Sequence, residues 1–139
     1  MRYSVKVIAC LVLTAFVQAH GQTSAFDGAW NVTLSCPSHN ENEGAKGYTH
    51  LFPAEVNNGS LRGIYGKEGE PGWQFLHGEI SQDGSATLTL DGIVDNPEYA
   101  IGKSPKGKPF SYKVRARFEP SSGTGQRMSG RACEFRFAR

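Results

Sequence analysis

Phe26-Asp27-Gly28-Ala29-Trp30-Asn31-Val32-Thr33-Leu34-Ser35-Cys36 is the stretch that decides the fold. Trp30, Val32, Leu34 and Cys36 alternate with Asn31, Thr33 and Ser35, the period of a strand with one face in a core and one in water. Near the other end of the chain, Cys133, Phe135 and Phe137 alternate with Glu134 and Arg136. With both apolar faces turned inward, a Cys36–Cys133 disulfide staples the first strand to the last. Barrel closure requires that contact, and closure removes the exposed edges of a sheet.

The sequence between these ends repeats the pattern. Strands are expected over 47–56, 61–65, 73–80, 86–94 and 112–119, with a last strand or strand pair over 127–138, broken at Gly130. Asn57-Asn58-Gly59 and Gln82-Asp83-Gly84 are hairpin signals. Residues 37–44, 66–72 and 121–125 read as loops or turns. The longest irregular stretch is 95–109, with a short strand expected at 99–101. No helix of convincing length follows residue 25, and there is no internal repeat. The expectation is an all-β antiparallel meander of seven to eight strands, with an eight-stranded barrel preferred because a closed antiparallel barrel needs an even count. A β-sandwich is the alternative. The 139 residues suffice for one domain, 26–139.

The N-terminus reads as an export signal. Arg2 and Lys6 precede an apolar run over 7–17, too short to span a bilayer. Val17-Gln18-Ala19 suits cleavage after residue 19, and Thr23-Ser24-Ala25 allows a cut as late as 25. Cys10 leaves with this segment. Cys36 and Cys133 then remain in an oxidising compartment, periplasmic or extracellular, where a disulfide is their simplest fate. A zinc site is a poor rival, because no CxxC spacing is present.

Charge follows from the same reading. The whole chain carries a net +2, but losing Arg2 and Lys6 leaves thirteen basic against thirteen acidic residues. A neutral exported domain has no general attraction to nucleic acid or to a membrane surface. The zero hides an asymmetry. Residues 26–102 hold three basic and eleven acidic side chains, whereas residues 103–139 hold ten basic and two acidic. In the strand expected at 112–119, Lys113, Arg115 and Arg117 share one face and Val114, Ala116 and Phe118 the other. The apolar side faces the core, so the cations form an outward stripe. They either pair with acidic neighbours such as Glu55, Glu68 or Glu79, or they present a surface to an anionic partner.

Gly28-Ala29-Trp30 resembles the Gly-x-Trp opening of lipocalins and avidins. That resemblance implies an eight-stranded up-and-down barrel plugged at one end by Trp30, with a late arginine, Arg127 or Arg131, packed across it. A wider likeness is carried by Phe26-Asp27-Gly28-Ala29-Trp30, Gly47-Tyr48-Thr49, Asp83-Gly84-Ser85-Ala86-Thr87-Leu88, Asn96-Pro97-Glu98-Tyr99 with Gly102, Pro109-Phe110-Ser111-Tyr112 and Gly123-Thr124-Gly125-x-Arg127. Together these resemble an uncharacterised family of small exported bacterial β-rich proteins. The likeness implies export and a bacterial source and transfers no functional residues.

No catalytic constellation emerges. HExxH, GxSxG and the phosphate-loop pattern are absent. Gly123-Thr124-Gly125 reads as a turn, and Asp83 and Asp91 as turn formers before glycine. His39, with Glu41 and Glu43, lies in a polar loop; His50 and His77 fall among apolar strand neighbours and read as structural. No cofactor or metal is expected. The function expected is an exported, non-catalytic binding module for a small anionic ligand, a glycan or a protein. Its candidate ligand-binding residues are Tyr112, Lys113, Arg115, Arg117 and Arg127, with Trp73 as an anchor at a loop edge. The alternative is an inhibitor of a secreted or periplasmic hydrolase that presents the acidic loops 41–43 or 68–70. The sequence leaves the oligomeric state open.

Overall fold

The computed structural model describes residues 24–40 and 44–139. The expected signal peptide with Cys10, together with His20, Glu41 and Glu43, lies outside them. Eight strands form a closed antiparallel barrel in which each pairs with the next and the last with the first. They are β1 (Gly28–Cys36), β2 (Tyr48–Asn57), β3 (Ser60–Tyr65), β4 (Gln74–Glu79), β5 (Ser85–Ile93), β6 (Pro109–Phe118), β7 (Ser122–Arg127) and β8 (Glu134–Ala138). The sandwich alternative falls on the closing ladder, where Val32 faces Phe137 and Leu34 faces Phe135. Cys36 and Cys133 are disulfide-bonded, joining positions 97 residues apart. Among the described residues no helix is long and apolar enough to cross a membrane.

Three expectations need correction. Residues 121–125 are not a turn; they run into β7. Gly123 and Gly125 point inward, where a Cβ would sit 3.1 Å from the Phe118 ring and 3.1 Å from Val114. These glycines save space in a narrow barrel rather than bend the chain. The short strand expected at 99–101 is instead a pair of 3₁₀ turns, Pro97–Tyr99 and Ile101–Lys103. Asn96 caps the first by accepting from the Glu98 amide at 3.0 Å, and proline takes an early helical position, where its missing N–H costs nothing. Finally, β6 begins at Pro109, and β8 starts only after a loop over 128–133.

The two ends of the barrel differ. Tight connections at 58–59, 80–84 and 119–121 gather at one end with the segment 24–27. The described parts of the long connections, 37–40 with 44–47, 66–73, 94–108 and 128–133, gather at the other. The tight end is sealed. Trp30 meets Phe118 edge-on at 5.5 Å, and Phe118 packs on Phe137 at 4.6 Å. The Trp30 indole donates to the Phe26 carbonyl at 2.8 Å. The arginine across Trp30 is neither Arg127 nor Arg131 but Arg139, whose guanidinium lies 4.6 Å from the ring centroid. Chain direction explains this: β8 runs toward the sealed end, so its last residue arrives beside Trp30, whereas residues 127 and 131 flank the opposite end. Arg139 also donates to the carbonyls of Ala25, Asp27 and Pro120 at 2.9, 2.6 and 2.7 Å.

Candidate functional site

At the long-loop end the inward positions change character. Below, they are Leu34, Leu76, Leu90, Val114 and Phe135, all buried. Above, the same strand faces carry Tyr48, His50, Tyr65, Gln74, Phe110, Tyr112 and Arg127, which line a cavity of about 630 Å³. That volume is in the range of roughly 300–1,000 Å³ usual for small-molecule sites. The room comes partly from Gly92, where a Cβ would lie 2.3 Å from the Phe110 ring. The far edge of the Phe110 ring occupies the space that a side chain at position 92 would take.

The walls are aromatic and ordered. His50 stacks on Tyr65 with centroids 3.9 Å apart and planes within 10°. Phe110 and Tyr112 run nearly parallel at 6.3 Å. His50 and Gln74 meet at 3.0 Å through Nδ1 and Oε1; because an amide oxygen only accepts, His50 Nδ1–H is the donor. Gln74, buried, then donates through Nε2 to the Tyr48 hydroxyl at 3.4 Å.

Two arginines stand at this end with opposite circumstances. Arg131 is 3% exposed. It donates to the carbonyls of Pro37 and Tyr99 at 2.7 and 2.8 Å and to that of Lys46. One guanidinium thus bolts the 37–47 connection to the 3₁₀ segment. Lys46 and Glu98 reinforce the junction with a 2.7 Å ion pair. Burial pulls the Arg131 guanidinium below its ordinary value, and the nearby Arg127 charge adds to that. Arg127 lies 4.1 Å above the Tyr112 ring, and its Nε is buried with no partner among the described residues. The Tyr112 hydroxyl is also buried and unpartnered among them, and burial holds this phenol far above its ordinary range. Asp95 is the one carboxylate in the lining among the described residues; it is exposed and lies 3.8 Å from Lys106.

The candidate residues read from the sequence separate onto the cavity, the outer face of β6 and a loop edge, although Arg127 also borders a second concavity of about 810 Å³ together with Arg115 and Arg117. Tyr112 and Arg127 line the cavity. Lys113, Arg115 and Arg117 point outward from β6, exposed, on the other side of the same sheet. Trp73 lies outside the cavity lining, half-buried, stacked on Phe75 at 6.0 Å with its Nε1 buried and unpartnered among the described residues. The outward stripe does not pair with Glu55, Glu68 or Glu79. The register sets Glu55, on β2 and four strands from β6, across from Arg62, and Glu79, on β4 and two strands from β6, across from Ser60; neither forms an ion pair with the stripe. Arg115 lies between Thr87 and Gln126, and Lys113 donates to Thr89 at 2.6 Å. His77 on β4 meets Asp91 at 2.8 Å on the outer face. No group of metal-ligating side chains occurs among the described residues. Reasoning from sequence misses His50 and Gln74 as site residues. Their signal is present in it: polar side chains at inward positions of otherwise apolar strand faces.

No family model, curated protein or solved structure matches this chain.

Proposed function

We propose that this protein is an exported, non-catalytic binding module that holds a small molecule in the open end of its barrel. One observation carries the reading: a roughly 630 Å³ aromatic cavity whose lining residues Tyr112 and Arg127 carry two buried polar atoms, Oη and Nε, with no partner among the described residues. Buried polar groups are nearly always hydrogen-bonded, so two orphaned donors in one cavity point to a ligand that accepts from them. The rigid barrel below supports binding, because preformed walls lose little entropy on docking. The Cys36–Cys133 disulfide suits an oxidising compartment and thus export. The described lining offers neither an activated nucleophile nor paired carboxylates, which favours retention of the ligand over its conversion.

Native mass spectrometry of the mature protein, purified from the organism that makes it, tests this. The expected result is an adduct of a few hundred daltons that is lost from a Gly92→Ala variant, in which the Phe110 ring is displaced into the cavity. A protein that is bare in both forms, and that binds nothing in a ligand-observed NMR screen of small aromatic molecules, overturns it.

A further inference from the structure

The cavity is positive as well as aromatic. Two guanidinium groups, Arg127 and Arg131, reach it, and the hydrogen bonds of Arg131 go to backbone carbonyls, which are neutral. A buried charge held by dipoles alone remains uncompensated. The one carboxylate in the described lining, Asp95, sits at the exposed rim beside Lys106. The orphaned atoms agree in sign. Arg127 Nε–H can only donate, and the Tyr112 phenol, kept protonated by burial, has its hydrogen free. A phenol O–H and a guanidinium Nε–H, with a second guanidinium nearby, call for an acceptor that carries negative charge. Around them Tyr48, Tyr65 and Phe110 offer ring faces and edges, which favour a flat apolar body.

We infer that the cavity selects planar aromatic molecules bearing one carboxylate or other oxyanion, with Arg127 and Tyr112 on the oxyanion and Tyr48, Tyr65 and Phe110 around the ring. This rests on the small-molecule reading above and specifies its ligand class. The oxyanion takes Arg127 Nε–H and the Tyr112 O–H as donors, both shielded from bulk water. The outward stripe Lys113, Arg115 and Arg117 is a separate, solvated surface, and any binding there is screened by salt.

A matched pair of dyes tests the assignment: 1-anilinonaphthalene-8-sulfonate and its uncharged parent, N-phenyl-1-naphthylamine. Both brighten in apolar surroundings. Fluorescence titration at low and high salt is expected to show the sulfonate bound about 10- to 100-fold more tightly than the parent, the scale of a charge-assisted hydrogen bond. Arg127→Gln removes that preference, and Tyr112→Phe weakens it. The Arg115→Gln/Arg117→Gln double variant leaves it intact. Near-UV circular dichroism of each variant confirms a native fold, which is expected because Arg127 stands at the open end, away from the sealed core around Trp30. Equal affinity for both dyes overturns the anion assignment while the small-molecule reading stands. A preference that vanishes at high salt, or in the Arg115→Gln/Arg117→Gln variant, overturns it in favour of the outer stripe. Absence of binding by either dye overturns the anion assignment, and the native mass spectrum and ligand screen then decide the small-molecule reading on their own.

Discussion

Tyr112→Phe separates what the cavity's hydroxyl costs the fold from what it does for a ligand. The substitution removes one oxygen and keeps the ring that stacks on Phe110 and lies under Arg127. Tyr112 is 6% exposed, and its hydroxyl has no partner among the described residues. A hydroxyl buried without a hydrogen bond costs about 1–3 kcal/mol in proteins. Phenylalanine should therefore stabilise the unliganded protein by about 1–2 kcal/mol, at the lower part of that range because the open cavity relaxes some of the penalty. With an unfolding entropy of about 0.25 kcal/mol/K for a domain of this size, the midpoint should rise by about 4–8 °C. Differential scanning calorimetry on both proteins, stripped of ligand by refolding from denaturant, measures the shift. The same variant should bind the anionic dye more weakly, so stability and affinity move in opposite directions. A loss of about 1 kcal/mol or more would refute the reasoning. It would mean that the hydroxyl already makes a net favourable bond, for instance to a fixed water.

Replacing Cys36 and Cys133 together with serine frees a segment spanning 97 residues of sequence separation, and loop entropy sets the loss at about 4–5 kcal/mol; urea unfolding measures it, and a loss under about 2 kcal/mol contradicts the entropic account. Gly92→Ala should cost about 1–3 kcal/mol by overpacking and should reduce dye binding, because the Phe110 ring must move off the glycine into the cavity; unchanged binding shows that the ring escapes elsewhere. Arg139→Met should red-shift Trp30 emission and lower stability by about 1–2 kcal/mol, through loss of the cation–π contact and the bonds to residues 25, 27 and 120; an unchanged spectrum argues against the contact. The Asp27 carboxylate is held below its ordinary value, first by the Gly59 amide and also by that of Asn58. A depressed carboxylate stabilises the fold above its unfolded value near ~4 and loses that contribution as pH falls through its folded value. Asp27→Asn should thus flatten the fall in urea midpoint between pH 7 and pH 3, and parallel curves for the two proteins refute this.

Most of the barrel is legible in the sequence because its code is local. Trp30 through Cys36 and Tyr112 through Phe118 alternate so regularly that face and burial follow from parity alone. Closure is legible from two cysteines whose neighbours point the same way. Glycine is where that code fails. Gly123 and Gly125 punctuate a sequence in the same way whether they bend a chain or make room for Phe118 and Val114, and only three-dimensional crowding distinguishes the two. The site is half legible. Tyr112 and Arg127 stand out in the sequence, but their charged neighbours Lys113, Arg115 and Arg117 lie across the thickness of the sheet from the cavity. His50 and Gln74 stay hidden because their bond joins β2 to β4, strands with β3 between them and 24 residues apart in the chain.

The segregation of short turns and long loops to opposite ends has a consequence for how such a chain can change. Trp30, Phe118, Phe137 and Arg139 fasten one end without help from the loops 37–47, 66–73, 94–108 and 128–133. Loop length and composition at the other end can drift, or be rewritten in the laboratory, wherever Cys133, Arg131 and the carbonyls Arg131 holds are kept, while the sealed end keeps its part of the fold. The domain is in that sense a cup with an exchangeable rim, and grafting onto the rim is the natural route to a new specificity.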